Sequence, residues 1–172
     1  RVLDLCCYTG GFSVHALAGG AERVVAVDTS ESALAMAREN VYSNFGAGAA
    51  FETIKGDVFK TLRALDEQFD LIILDPPAFA RSRHMIEQAA RGYKDLNLWA
   101  LRRLTPDGKL LTFSCSHFVD RKLFGQIVFG AAADADRPVQ ILRRLGPALD
   151  HPINIAHPEG DYLKGLWLRV VA

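Results

Sequence analysis

Residues 1–28 read RVLDLCCYTGGFSVHALAGGAERVVAVD. Arg1 to Leu5 is a short, mostly apolar run, long enough for a buried strand and too short for a helix. A Gly10-Gly11 turn follows, and Phe12 to Ala18 reads as a short helix. Glu22 to Asp28, with Val24-Val25-Ala26-Val27 at its centre, is a second buried strand. A strand, a tight turn, a helix and another apolar strand make a βαβ unit. Such a unit implies two parallel strands joined by a right-handed crossover.

The alternation continues outward. Thr29-Ser30 offers an N-cap for a helix from Ser32 to Asn44. Ala49 to Lys55 is a strand, Val58 to Leu65 a short helix, and Phe69 to Leu74 the most continuous apolar strand, stopped by Pro76-Pro77. Glu87 to Leu104 is a long helix with Leu96, Leu98, Trp99, Leu101 and Leu104 at roughly helical spacing. After the turn signals Pro106 and Gly108 comes the strand Lys109 to Phe113. A helix from Arg121 to Asp134 and strands from Val139 to Leu145 and Gly165 to Val171 complete the chain. Residues 146–164 are rich in Pro, His, Gly and charge, with no period, and predict a long loop inside a closing hairpin. The predicted fold is α/β: a Rossmann-like, doubly wound, mostly parallel seven-stranded sheet with an antiparallel last strand and helices on both faces. One domain covers residues 1–172.

Bulk properties narrow the function classes. The 172 residues are 49% apolar and carry 20 basic against 20 acidic side chains, an ordinary globular composition with no net charge. Isolated duplex binders are usually basic, so tight duplex binding by this chain alone is disfavoured. Action on a nucleic acid held elsewhere is not. No apolar stretch approaches the length of a membrane span. Three cysteines make no disulfide framework, and no Cys/His spacing resembles a zinc site, so no metal and a reducing, cytoplasmic location are expected. Opening inside a strand without an initiator Met predicts a fragment of a longer protein.

Acidic residues recur at strand ends: Asp4 within the first strand, Asp28 after the second, Asp57 after the third, Asp75 after the fourth. Carboxyl ends of strands are where open α/β sheets bind ligands, and an acid after the second strand suits ribose hydroxyls. The Gly10-Gly11 turn lets backbone approach a ligand closely. The stretch Tyr8-Thr9-Gly10-Gly11-Phe12-Ser13 lacks the third glycine of the dinucleotide fingerprint, and no Walker-type lysine follows. A cofactor with a ribose but no phosphate fits better, and S-adenosylmethionine is one.

The segment Asp4-Leu5-Cys6-Cys7-Tyr8-Thr9-Gly10-Gly11-Phe12-Ser13 resembles the first motif of class I S-adenosylmethionine-dependent methyltransferases. Val27-Asp28 resembles the second, Gly56-Asp57-Val58-Phe59 the third and Asp75-Pro76-Pro77-Ala78-Phe79 the fourth. With Arg91-Gly92-Tyr93-Lys94-Asp95, Thr112-Phe113-Ser114-Cys115-Ser116 and Tyr162-Leu163-Lys164-Gly165, the whole set is similar to the bacterial large-subunit (23S) ribosomal RNA cytosine-5 methyltransferases. The resemblance implies that Asp4, Tyr8, Thr9, Gly10, Gly11 and Phe12 shape the methionine end of an S-adenosylmethionine pocket. It implies that Asp28 and Thr29 hold the ribose, that Asp57 and Val58 meet the adenine, and that Asp75 lies between cofactor and base. It also implies an upstream RNA-binding domain.

Cys115 sits where a strand ends, a position suited to a nucleophile and equally to a packed small thiol. Methylation at carbon 5 of cytosine needs a thiolate at carbon 6, a group for the ring nitrogen and a base. Cys115 and Asp75 are the candidates for the first two, with His117 or Lys164 as a cationic neighbour of the thiol. In related two-cysteine enzymes a second Cys follows the proline of the fourth motif. Here Ala78 stands there, so the resemblance implies one cysteine, and the base is unassigned. Ribosomal RNA would be the partner, its target base unstacked. Pro76, Pro77, Phe79, Arg91, Tyr93 and Lys164 are the substrate-side candidates, with Phe118 as a further aromatic and Arg81, Arg83, Arg91 and Lys94 as a basic cluster. Rival readings are a guanine-N methyltransferase with no nucleophile, a non-catalytic cofactor-binding module and, least, a nicotinamide dehydrogenase.

Overall fold

The computed structural model describes residues 1–171. Its strands are β1 (Val2–Leu5), β2 (Val24–Asp28), β3 (Phe51–Lys55), β4 (Phe69–Leu74), β5 (Leu104–Ser114), β6 (Val139–Leu145) and β7 (Lys164–Val170). The helices are α1 (Gly11–Ala18), α2 (Glu31–Phe45), α3 (Val58–Ala64), α4 (Ile86–Arg102) and α5 (Arg121–Ala135). The strands form a single sheet in the order β3-β2-β1-β4-β5-β7-β6. β3, β2, β1, β4 and β5 are mutually parallel, and β7 runs antiparallel to both of its neighbours. The predicted Rossmann-like sheet and its reversed last strand are both present.

Alternate residues of β1 serve opposite faces. Leu3 and Leu5 join Val25, Val27, Ile72 and Leu74 under α3, α4 and α5, in the larger core cluster with Leu62, Leu96 and Phe124. Val2 joins Val24 and Ile73, with Ala16 and Leu17 of α1 packed against them, and Ala26 meets Leu34 of α2. Both faces are covered, which is why these strands read as continuous apolar runs. Helix starts are fixed by side-chain caps, at Ser30 as the sequence predicts: Ser30 accepts from the Ala33 amide at 3.2 Å, Asp57 from Lys60 at 3.0 Å and Asp120 from Leu123 at 2.7 Å.

Most boundaries fall within two residues of the sequence reading, and the largest difference is at β5. β5 begins at Leu104, five residues before the expected Lys109, and α4 ends at Arg102. Pro106, Asp107 and Gly108 form a bulge inside the strand. Phe69 pairs with Leu104 and Leu71 with Lys109, so the extra residues loop out. The turn signals are obeyed, but within the strand rather than before it.

Gly10 also does something other than expected. It precedes α1 with φ 77°, and a Cβ there would lie 2.9 Å from the Ala37 Cβ of α2. Its missing side chain lets α1 and α2 close together and is not turned to a ligand. Gly10→Ala is therefore expected to destabilise the fold by about 2–3 kcal/mol, from left-handed backbone strain plus overpacking. Urea denaturation of this variant and of Gly10→Ala/Ala37→Gly checks it. The second change should recover the steric part and leave the backbone part.

Candidate active site

Because the parallel strands point the same way, their following loops meet at one edge, beside the β1/β4 junction where the strand order reverses. A cavity of about 670 Å³ opens there. Each strand end contributes in turn: Cys6 and Tyr8 after β1, Asp28 and Thr29 from β2, Asp57, Val58 and Phe59 after β3. Asp75, Pro76, Pro77 and Phe79 come after β4, Cys115 after β5, and Tyr162 and Leu163 just before the reversed β7.

The loop after β1 is held in an uncommon shape. Cys6 and Tyr8 both adopt left-handed backbone, with φ 59° and 49°, a conformation that non-glycine residues adopt at a cost. The loop is pinned from three sides. The Tyr8 amide donates to Asp28 Oδ2 at 3.0 Å, the Gly10 amide to the Cys7 carbonyl at 2.8 Å, and Asn40 Nδ2 of α2 to the Thr9 carbonyl at 2.9 Å. Asp28 also accepts from the Ser30 amide at 2.9 Å. Each of its oxygens keeps a further lone pair for hydroxyl donors. Asp57 both caps α3 through Oδ1 and lines the cavity beside Val58 and Phe59, an acceptor next to an apolar wall.

Asp4 lies beneath this loop, almost wholly buried. Its Oδ2 accepts from the Ser13 hydroxyl at 2.6 Å, while its Oδ1 has no partner. Burial, reinforced by the charges of Asp75 and Asp28, pushes its carboxyl up to about 6. Spare acceptors on Asp28 and Asp57, the Asp75 carboxyl, unpartnered among the described residues, and an apolar wall suit a ligand that brings donors and positive charge. S-adenosylmethionine, with its ammonium, ribose hydroxyls and adenine amino group, has that character.

Of the expected site residues, Tyr8, Asp28, Thr29, Asp57, Val58, Asp75, Pro76, Pro77, Phe79 and Cys115 line the cavity. Asp4, Thr9, Gly10, Gly11, Phe12, Arg91, Tyr93 and Lys164 do not. Phe12 stacks on Phe113 with ring centroids 5.9 Å apart, on the far side of its loop. Arg91 is exposed on α4, and Lys94 is turned to Asp134 of α5 at 2.8 Å, so the expected basic cluster is divided. Phe118 is half-buried against the main core, with the exposed His117 edge-on to it.

Tyr93 is fully buried and cannot stack on a base. It works one step behind the thiol instead. Its hydroxyl meets Ser116 Oγ at 2.9 Å, and the same Oγ accepts from the Ala80 amide at 3.1 Å. Lys164, at the start of β7, is also buried and donates Nζ to the carbonyls of Ser116 and Val119, 2.5 Å from each. Ser116 thus ties the β5 loop to the β4 loop, to α4 and to β7, and fixes its neighbour Cys115. Sequence reasoning missed Cys6, Phe59, Tyr162 and Leu163 as cavity walls. The last two were findable from the predicted hairpin, since a reversed β7 must start at the edge where the other strands finish.

The three thiols differ. Cys7 packs with Ala26 and Leu34, and Cys6 is half-buried; burial pushes each up to about 12. Cys115 is half-buried, and its thiol donates to the Pro76 carbonyl at 3.7 Å. Burial, and then the Asp75 charge, raise it above the ordinary thiol range, and Lys164 opposes them. The expected cationic neighbour is therefore Lys164 and not His117, and it only partly offsets the carboxylate. Burial likewise raises Asp75.

Comparison with known proteins bears on what this edge binds. The family model described as S-adenosylmethionine-dependent methyltransferase matches residues 1–145. Ribosomal RNA large subunit methyltransferase I of Aeromonas hydrophila subsp. hydrophila is 51% identical over 172 residues, covering 98% of this chain and 43% of the relative. The protein of that name from Tolumonas auensis is 52% identical over 176 residues, covering 99% and 44%. The chain therefore spans less than half the length of these relatives. Among solved structures, SMU.776 complexed with SAH superposes with TM-score 0.83 at 26% identity, covering 98% of this chain and 44% of that one. TrmN from Thermus thermophilus, at 19% identity, TM-score 0.69 and coverage of 99% and 44%, shares the fold. Among the described residues no group of His, Cys, Asp or Glu could hold a metal ion, and no helix is long and apolar enough to cross a membrane.

Two outcomes are expected of the free protein. A carboxyl raised in the fold binds more protons than in the unfolded chain, so its contribution is complete below pH 3.8 and is lost as pH rises through about 6. Unfolding free energies of Asp4→Asn and the parent should diverge by about 2–3 kcal/mol in the variant's favour between pH 4 and pH 7.5. Alkylation by iodoacetamide at pH 8, mapped by mass spectrometry, should fall on Cys115 alone. It should speed up in Asp75→Asn and slow down in Lys164→Met.

Proposed function

The chain belongs to the S-adenosylmethionine-dependent methyltransferases, and from that premise we propose that it methylates carbon 5 of a cytosine in large-subunit ribosomal RNA through a covalent adduct on Cys115. The observation that carries the proposal is that Cys115 and Asp75 line the same cavity, with the Asp75 charge acting on the thiol. Cys7 is buried, and Cys6, though it also lines the cavity, sits in the loop after β1 with its thiol pushed up to about 12. Cys115 shares the cavity with Asp75, the one carboxyl of the edge whose side chain has no hydrogen-bond partner among the described residues. The relatives' name supports ribosomal RNA as the substrate class.

When bound, S-adenosylmethionine supplies an electrophilic methyl group. Asp28 would hold its ribose, Asp57 and Val58 its adenine, and Asp4, through the loop at Tyr8, its methionine end. Carbon 5 of cytosine is a poor nucleophile until a group adds at carbon 6. Cys115 loses its proton to the adjacent Asp75, and Sγ then bonds to carbon 6. Asp75, its affinity for protons raised by burial, passes that proton to ring N3, so the electron pair displaced from the ring is not left on an uncompensated anion. Carbon 5 is now electron-rich and can accept the methyl group. The carbon 5 proton leaves to water, N3 returns its proton to Asp75, and Sγ departs as the double bond re-forms, recovering the thiol's proton from Asp75. The proline pair keeps the Asp75 loop rigid, since neither ring can adopt another φ. Ser116, clamped by Tyr93 and Lys164, does the same for Cys115.

Cys115→Ala should reduce methyl transfer to ribosomal RNA by roughly 10³-fold or more and leave binding of S-adenosylhomocysteine intact. Tritium transfer and calorimetry measure the two. Mass spectrometry of the RNA product identifies the base. Retained transfer by Cys115→Ala, with the label on a guanine nitrogen, would mark a non-covalent enzyme and sink the proposal.

A further inference from the structure

Tyr162 and Leu163 wall the central cavity on one side and a second cavity, of about 500 Å³, on the other. The far wall of this second cavity is built by Pro147, Asp150, His151 and Pro152 from the long loop between β6 and β7. That loop is closed at its neck. Arg121, the first residue of α5, donates to the Leu145 carbonyl at 3.1 Å and to Asp161 at 2.8 Å, and the strands pair at Leu145 and Gly165. Further out it turns on its own backbone: His151 to Ala148 and His157 to Asn154 at 2.9 Å, Gly160 to His157 at 3.1 Å. The cavity is therefore a cup in a compact, self-bonded loop.

Tyr162 is the uncommitted aromatic of this rim. It is 45% exposed, and among the described residues its ring pairs with no other and its hydroxyl has no hydrogen bond. Phe79, on the opposite rim, is already packed on Tyr93 at 4.6 Å and Phe59 at 6.0 Å.

We propose that the second cavity receives the nucleobase next to the target cytosine on the same RNA strand, stacked on Tyr162. The proposal rests on the cytosine-5 reading above. Extruding a target base breaks its stacking with a neighbour, and the phosphodiester linkage keeps that neighbour within one nucleotide of the target. A cup sharing the Tyr162–Leu163 wall with the reaction cavity is the neighbouring space open to it, and an exposed aromatic ring replaces the lost stacking partner for any base. The proline faces continue the apolar lining. Asp150, with His151 Nδ1 3.2 Å from one of its oxygens, keeps a second oxygen to accept from the amino group of a base, and His151 Nε2 is left as a further polar group. With no net charge on the chain, stacking rather than phosphate attraction would be its main hold on the single strand.

The test uses RNA fragments centred on the mapped target nucleotide, with 5-fluorocytidine at the target and 2-aminopurine at one flank or the other. With S-adenosylmethionine present, fluorine at carbon 5 blocks the final elimination and traps the Cys115 adduct. In the adduct, 2-aminopurine at one flank should be quenched. Tyr162→Ala should abolish the quenching and weaken RNA binding roughly tenfold, while Tyr162→Phe keeps both. His151→Ala, outside the reaction cavity, should weaken RNA binding with the same flank dependence. An adduct whose flanking fluorescence is the same in the parent and Tyr162→Ala overturns the inference and leaves the cytosine-5 reading standing. Failure to form any adduct overturns that reading, and this inference with it.

Discussion

Parallel strands cannot be joined by hairpins, so every connection must cross a sheet face, and every strand then ends at the same edge. In this protein that constraint concentrates the chemistry. β1, β2, β3, β4 and β5 deliver Asp4, Asp28, Asp57, Asp75 and Cys115 to one edge. Four carboxylates in one place repel one another, and the structure shows how each is accommodated. Asp28 is held by two backbone amides, and Asp57 spends one oxygen on capping α3. Asp4 and Asp75 have fewer donors and move toward the neutral acid instead. The remaining negative potential is an invitation to a cation, and the sulfonium of S-adenosylmethionine is one.

The reversal of β7 adds what the parallel strands cannot. Running against its neighbours, it begins at the edge where they finish, and so brings Tyr162, Leu163 and Lys164 to the site from a distant part of the chain. Lys164 is a buried cation with no carboxylate partner, a costly arrangement unless its donors are all engaged. Two carbonyls of the Cys115 loop engage two of its three donors, and burial lowers its affinity for a proton.

Much of this was readable from residue order. Apolar runs buried on both faces, the cap Ser30, and acids at successive strand ends are local signals, and they place the sheet and most of the cavity wall. What stayed hidden depends on contacts between distant residues. Tyr93 looks like a base-stacking aromatic in sequence, yet helical periodicity puts it beneath Phe79, where only its hydroxyl has a task. Gly10 looks like a ligand-facing glycine until α2 brings Ala37 against it. Pro106 and Gly108 mark a turn, and nothing local says that the turn is a bulge within β5.

The charge arrangement around Cys115 also constrains when it can react. In the free protein the thiol is protonated, donating to the Pro76 carbonyl, and the Asp75 charge opposes its ionisation more than Lys164 favours it. A thiol held this way reacts more slowly with electrophiles than a free cysteine, because less of it is thiolate. On the proposed chemistry, a cytosine entering the cavity changes the balance at its source. Once Asp75 takes the thiol proton, it no longer carries the charge that opposed the thiolate, and Lys164 is left as the nearest unbalanced one. Proton transfer between these two side chains therefore removes the obstacle and makes the nucleophile in one step, but only where a ring nitrogen waits to accept the proton from Asp75. Activation is in this way coupled to the presence of the base it acts on.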